Sequence, residues 1–210
     1  MKAPVSAQEM KEIEKTAASR GISYLTMMEN AGIAAAEEII KEYKPEGKIV
    51  IIAVGKGNNG GDGYVVARLL QAAGAMVMII MAEGLPVTDS AKINFDRCLQ
   101  CGIEVVQYEP QTSDPFFQGA DFIVDAVYGA GFHGSFREPA ASAIRAINAS
   151  DAKKIALDLP SGLNADTGEC APDAVQADTT VTFARLKKGQ TTAEGLQLCG
   201  KLVLKDIGLE

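Results

Sequence analysis

Apolar side chains recur along this chain at two different spacings. In the first 20 residues Met10, Ile13 and Ala17 fall at helical intervals, and Ser6 and Glu9 stand in capping-box spacing, so a helix is expected to begin there. A second helix is expected over about 24–41. From residue 48 the pattern changes, and short unbroken apolar runs alternate with amphipathic segments. The runs predict strands at 48–54, 75–82, 103–108, 121–126 and 154–157, and the segments between them predict helices at 61–73, 89–101 and 138–150. Two more strands are expected near 179–183 and 201–204. No internal repeat or low-complexity run interrupts this βαβαβ rhythm.

Strands such as 49–54 and 77–80 are apolar at every position, which is how strands covered by helices on both faces read. An α/β domain with a mostly parallel, doubly wound sheet flanked by helices follows. In that architecture ligands sit beyond the carboxyl ends of the strands, where the strand order reverses. Polar residues at those ends therefore need explaining.

The chain has 210 residues, which fits a single domain over 1–210 and leaves no room for a second catalytic one. Its 47% apolar and 22% charged residues are those of a globular protein. The net charge is −7 and the basic residues are scattered, so no nucleic-acid partner is expected. Four cysteines without dense regular spacing suit a reducing compartment. The amino terminus lacks the continuous apolar region of a signal peptide. The longest apolar stretch, 75–82, is far shorter than the ~20 residues of a spanning helix. A soluble, cytoplasmic protein with no membrane partner is expected.

Three strand ends carry unusual residues. The first is Gly55-Lys56-Gly57-Asn58-Asn59-Gly60-Gly61-Asp62-Gly63, between a strand and a helix. Its Gly55, Gly57 and Gly60 have the spacing of a dinucleotide-binding turn, and adjacent glycines let backbone amides approach a ligand at a helix start. Asp62 would repel a phosphate, so it is expected to face hydroxyls or to cap the helix, whereas an asparagine oxygen suits a hard cation. A plain turn would also use Asn-Gly and Asp-Gly. The second end runs from Asp125 through Gly129, Ala130, Gly131, Phe132, His133, Gly134 and Ser135, and its carboxylate could hold a cation or accept from hydroxyls. His133, the only histidine, reads as a surface or hydrogen-bonded residue rather than a catalyst. The third end is Asp158-Leu159-Pro160-Ser161-Gly162. Asp158 leaves an apolar strand at the ligand-binding edge, a placement that suits proton transfer and makes it the catalytic candidate.

Together these ends resemble the NAD(P)H-hydrate epimerase family, whose fold is the YjeF amino-terminal domain. Met28-Glu29-Asn30-Ala31-Gly32, the closing Thr180-Val181-Thr182-Phe183 and Asp206-Ile207-Gly208 extend the likeness to nearly the whole chain. The resemblance implies a three-layer Rossmann-like domain that interconverts the R and S forms of hydrated NADH or NADPH, usually as a homodimer. It implies a potassium ion held by Asn59, Asp125 and Ser161, all oxygen donors. Asn58, Asn59, Gly60, Gly61, Asp62, the loop from Gly129 to Ser135 and Asp158 would line the nucleotide. Leu186-Lys187 stands where the family often has Pro-Lys, a departure at the position that would put Lys187 near the phosphates or the ring. The family's partner activity, a dehydratase acting on the S form, is expected on a separate protein.

The implied chemistry needs a positioned acid/base at a carbon that bears both a ring nitrogen and a hydroxyl. Protonated hydroxyl leaves as water and returns from the other face; opening of the ring to an aldehyde is the other route. One rival is an NAD-dependent oxidoreductase with Glu83 as its ribose-binding acid, which leaves Asp125, Asp158 and Ser161 unexplained. A second is a non-catalytic binding module of the same fold. A zinc half-site at Cys98 and Cys101 lacks a second cysteine pair, and a serine hydrolase lacks its Gly-x-Ser-x-Gly elbow.

Overall fold

The computed structural model describes residues 3–209. Helix α1 (Ala7–Ser19) starts as the capping box requires: Glu9 N–H donates to Ser6 Oγ at 3.1 Å, and Ser6 N–H donates to Glu9 Oε2 at 2.6 Å. Helix α2 (Tyr24–Tyr43) is capped by Ser23, whose hydroxyl accepts from Thr26 N–H. Then come β1 (Ile49–Val54), α3 (Asn58–Ala72), β2 (Met76–Met81), α4 (Asp89–Gln100), β3 (Glu104–Gln107), α5 (Pro110–Gly119) and β4 (Phe122–Ala126). The second half holds α6 (Ala140–Ala149), β5 (Lys153–Leu157), β6 (Thr179–Phe183), a 3-10 turn (Lys188–Thr191), α7 (Ala193–Cys199) and β7 (Lys201–Lys205).

The seven strands form one parallel sheet in the order β3-β2-β1-β4-β5-β6-β7. Both faces of β1 are buried. Val50, Ile52 and Val54 join one apolar cluster with Ala35 and Ile39 of α2 and Val66 and Leu70 of α3. Ile51 and Ala53 join another with Phe117 of α5 and Ile144 and Ile147 of α6. That two-sided burial is the cause of the unbroken apolar runs. The order reverses between β1 and β4, where Val54 pairs with Ala126, so the crevice beyond those two strand ends is the ligand position for this topology.

Three elements depart from the expectations. Helix α3 starts at Asn58 rather than 61, which puts both asparagines and the Gly60-Gly61 pair on its first turn. Glycine disfavours a helix interior, but here packing overrides propensity: a Cβ on Gly60 would lie 2.0 Å from the Gly55 carbonyl oxygen. Helix α5 was not anticipated, because Pro115 and Gly119 read as breakers; Pro110 starts it and Ser113 Oγ accepts from Glu109 N–H. The short α7 was missed too; Thr192 caps it by accepting from Gly195 N–H.

Both described ends of the chain return to the carboxyl edge of the sheet. Val5 N–H donates to the Leu186 carbonyl at 2.8 Å and Lys188 N–H to the Val5 carbonyl at 2.9 Å, a parallel bridge beside Lys187. At the other end Ile207 and Leu209 are buried, and the Asn30 side chain donates to the Ile207 carbonyl. Among the described residues no helix is long and apolar enough to cross a membrane.

Candidate active site

A cleft of about 480 Å³ opens over the crevice between β1 and β4. Its floor is the start of α3 and the loop after β4; its walls come from α1, α2, the ends of β5 and β6, and the carboxyl-terminal Ile207 and Leu209. The first N–H groups of α3 have no partners within the helix, and Gly57, Asn58 and Asn59 line this space; a helix start is a natural place for a phosphate or carbonyl oxygen.

Beneath the cleft lies Asp125, the fourth residue of β4, with no exposed surface. Its Oδ2 accepts from Ser161 N–H at 2.7 Å, and its Oδ1 accepts from Ser161 Oγ at 2.6 Å and from Val127 N–H at 3.2 Å. Burial pushes this carboxyl up to about 6, and the Ser161 and Val127 donors pull the other way without cancelling it. Among the described residues no cation pairs with it. Ser161 Oγ also accepts from Tyr128 N–H at 2.8 Å, which ties the turn after β5 to the loop after β4. That loop brings Gly129 against Asn59: a Cβ there would lie 3.2 Å from Asn59 Cγ, tighter than an ordinary contact. Both polar atoms of the Asn59 amide are buried without a partner.

Asp158 stands just past β5 with a φ of 63°, a left-handed backbone that aspartate tolerates better than most residues. Leu159 N–H donates to the Leu157 carbonyl at 2.8 Å and closes a tight turn around it. The turn is held from outside, because Asp158 N–H donates to the Val181 carbonyl and Gln190 Nε2 donates to the Asp158 carbonyl at 2.7 Å. Asp158 Oδ1 accepts from Lys187 Nζ and, at 3.2 Å, from Thr182 Oγ1. Lys187 is almost wholly buried, and its ammonium also donates to Thr182 Oγ1 and the Phe183 carbonyl, each at 3.1 Å. Two further carboxyls line the same space. Burial, with the negative charges of Asp158 and Glu14, holds Asp62 well above the usual carboxylate range against the pull of Lys187. Glu14 of α1 is raised by burial and by Asp158, with Lys187 and Lys11 opposing.

Of the residues singled out in the sequence, Asn58, Asn59, Asp62, Gly129, Ala130, Gly131, Phe132 and Asp158 line the cleft. Asp125 and Ser161 lie buried below it, and Gly60 and Gly61 are packed behind the first turn of α3. His133, Gly134 and Ser135 are exposed and do not line it, because the loop turns outward after the buried Phe132; His133 faces Asn164 instead. Asp62 is the fifth residue of α3 and does not cap it, since Gly57 holds the cap position. Sequence reasoning missed Glu14, although a carboxyl midway along the stripe Met10, Glu14, Ala17 was a readable signal. It also undervalued Lys187. Glu83 accepts from Tyr128 Oη at 2.8 Å rather than standing free for a ribose. Cys98 is buried and donates to the Tyr64 carbonyl while Cys101 is exposed, so the two thiols do not converge.

Residues 25–189 match the family described as YjeF-related protein N-terminus. A bifunctional NAD(P)H-hydrate repair enzyme of Pyrobaculum aerophilum is 40% identical over 210 residues, which are 98% of this chain and 42% of that protein. An NAD(P)H-hydrate epimerase of Limosilactobacillus reuteri is 41% identical over 209 residues, 97% of this chain and 95% of that one. The chain thus spans about two fifths of the bifunctional relatives and nearly all of the single-activity one. The crystal structure of yeast ynu0 superposes with a TM-score of 0.84 at 22% identity, covering 98% of this chain and 87% of the yeast chain; it has the same fold.

Proposed function

The chain belongs to the family of YjeF-related amino-terminal domains, and on that footing we propose that it is an NAD(P)H-hydrate epimerase, an isomerase that interconverts the R and S forms of hydrated NADH or NADPH. The observation that carries the reading is the gathering, at the switch point of the sheet, of an ion-paired aspartate, further carboxyls and a helix start in one cleft. In this reading the nucleotide lies along the start of α3 and the loop Gly129–Phe132, with Lys11 and Lys56 on the rim near its phosphates. The hydrated ring sits at Asp158. Lys187 and Thr182 fix the orientation of that carboxylate, and the tight turn fixes its backbone. Asp158 then handles the proton exchanged with the departing or returning hydroxyl, and the ring nitrogen stabilises the cation left when water departs. An oxidoreductase reading finds its ribose acid, Glu83, already bonded to Tyr128.

The residues present fit a potassium ion. Asn59 has an orphaned amide oxygen, Asp125 a buried carboxyl that no cation among the described residues pairs with, and Ser161 a hydroxyl bonded to Asp125 and the Tyr128 backbone. All are hard oxygen donors. When bound, the ion would supply positive charge that offsets Asp125 and steadies the loop that carries Gly129. The homodimer and the coupled dehydratase implied by the family remain part of this reading, and so does the cytoplasm, which suits four unbridged cysteines.

The test is direct. Added to a purified S-specific dehydratase and a mixture of the two hydrates, the protein should speed consumption of the slow R fraction, and Asp158→Asn should remove most of that gain. Wild-type protein that gives no acceleration over spontaneous interconversion refutes the assignment.

A further inference from the structure

Three carboxyls and one ammonium, from Glu14, Asp62, Asp158 and Lys187, share the cleft, and of these carboxyls the ammonium is bonded to Asp158 alone. Asp62 has no such anchor. It lies past the first turn of α3, where a side chain caps free N–H groups, and no described residue donates to it. Asp158 from the end of β5 and Glu14 from α1, the latter near Lys11, oppose its charge, and among the described residues Lys187 is the cation that favours it. A carboxyl that caps nothing and accepts nothing, yet faces a ligand cleft, is free to carry a proton there. Its position relative to Asp158 is also particular. Helix α3 rises from β1 and Asp158 tops β5; these two strands are about 10 Å apart with β4 between, and both residues line the crevice above them.

Resting on the epimerase reading, we infer that Asp62 is the second acid/base of the site, standing across the cleft from Asp158 and sharing one proton with it. Inversion at a carbon needs a donor on one face and an acceptor on the other. Protonated Asp62 gives its proton to the hydroxyl. The C–O bond breaks, its electron pair leaves with water, and the ring-nitrogen lone pair forms the C=N bond. A solvent water on the opposite face adds an oxygen lone pair to that carbon, the C=N pair returns to nitrogen, and the water's proton passes to Asp158. Substrate and water give epimer and water, and one proton has crossed from Asp62 to Asp158. The reverse reaction starts with the proton on the other carboxyl, which a pair holding one proton between them supplies in either direction.

Steady-state kinetics of Asp62→Asn and Asp62→Ala in the dehydratase-coupled assay test this, with thermal melting as the check on folding. Asp62→Asn should lower kcat by about 100-fold or more while KM moves less than about threefold. Asp62→Ala should regain activity on addition of formate, a small carboxylic acid that fits the space left. Asp62→Asn with kcat within threefold of wild type overturns the inference and leaves the epimerase reading intact. So does a folded variant whose loss lies in KM and which formate does not rescue, for then Asp62 only binds. Inactive wild-type protein overturns the epimerase reading and this inference with it.

Discussion

Replacing Asp125 by asparagine and following stability across pH measures what it costs this fold to bury a carboxylate under its cleft. The folded chain releases the Asp125 proton at about 6 and the unfolded chain near 3.8. Below both values the group is neutral in either state and costs nothing. As pH rises through this window the unfolded state ionises first, so the native state loses stability, and above about 6 the loss is constant. A gap of about two pH units corresponds to about 3 kcal/mol, of which about 2 kcal/mol develops between about pH 4.5 and 7.5. Asparagine does not titrate. It must instead turn an amide toward Ser161 N–H or Oγ, both of which donate to the native carboxylate, and this costs about 1.5–3 kcal/mol at every pH. The stability gap between wild type and Asp125→Asn should therefore move by about 2 kcal/mol in the variant's favour over that range. The chain has no tryptophan, so urea unfolding is followed by far-UV circular dichroism, in potassium-free buffer. A gap that stays constant from about pH 4.5 to 7.5 refutes the argument. Potassium held at Asn59, Asp125 and Ser161 favours the ionised form, so adding it should flatten the pH dependence of the wild type and leave the variant unchanged.

Two further substitutions probe the scaffold of the cleft. Gly60→Ala would gain about 1 kcal/mol from helix propensity, but its Cβ would lie 2.0 Å from the Gly55 carbonyl oxygen, so a net loss of about 2 kcal/mol or more in urea unfolding is expected; a variant as stable as wild type would contradict the packing described. Lys187→Met leaves Asp158 without its cation and should cost about 3 kcal/mol, the low end for breaking a buried pair, because the Asp158 side chain keeps 15% of its surface exposed. In a double-mutant cycle Asp158→Asn should recover much of that loss, and strictly additive effects would mean the pair is not coupled.

The parallel sheet was readable in the sequence because strands buried on both faces leave unbroken apolar runs, and helices α3, α4 and α6 leave clear stripes between them. Where packing outweighs local preference the reading failed. Gly60 and Gly61 look like a turn, yet they lie in the first turn of a helix, where the Gly55 carbonyl leaves no room for a Cβ on Gly60. Pro110, Pro115 and Gly119 look like a loop and form α5. In the cleft, residues at strand ends could be found because topology names those places in advance. Glu14 was marked only by its place on the apolar stripe of α1, and the sequence does not say that this stripe covers the sheet edge. The burial of Lys187 was equally hidden, because it depends on the Val5 bridge, which joins opposite ends of the chain.

That bridge bears on how the protein is handled. A purification tag or fluorescent label on the amino end would tug at Val5 and, through it, at the segment that seats Lys187. A label at the carboxyl end would leave from beside Leu209, in the wall of the cleft. The exposed turn at Gly102, between α4 and β3 at the far edge of the sheet, offers a grafting point that leaves both alone.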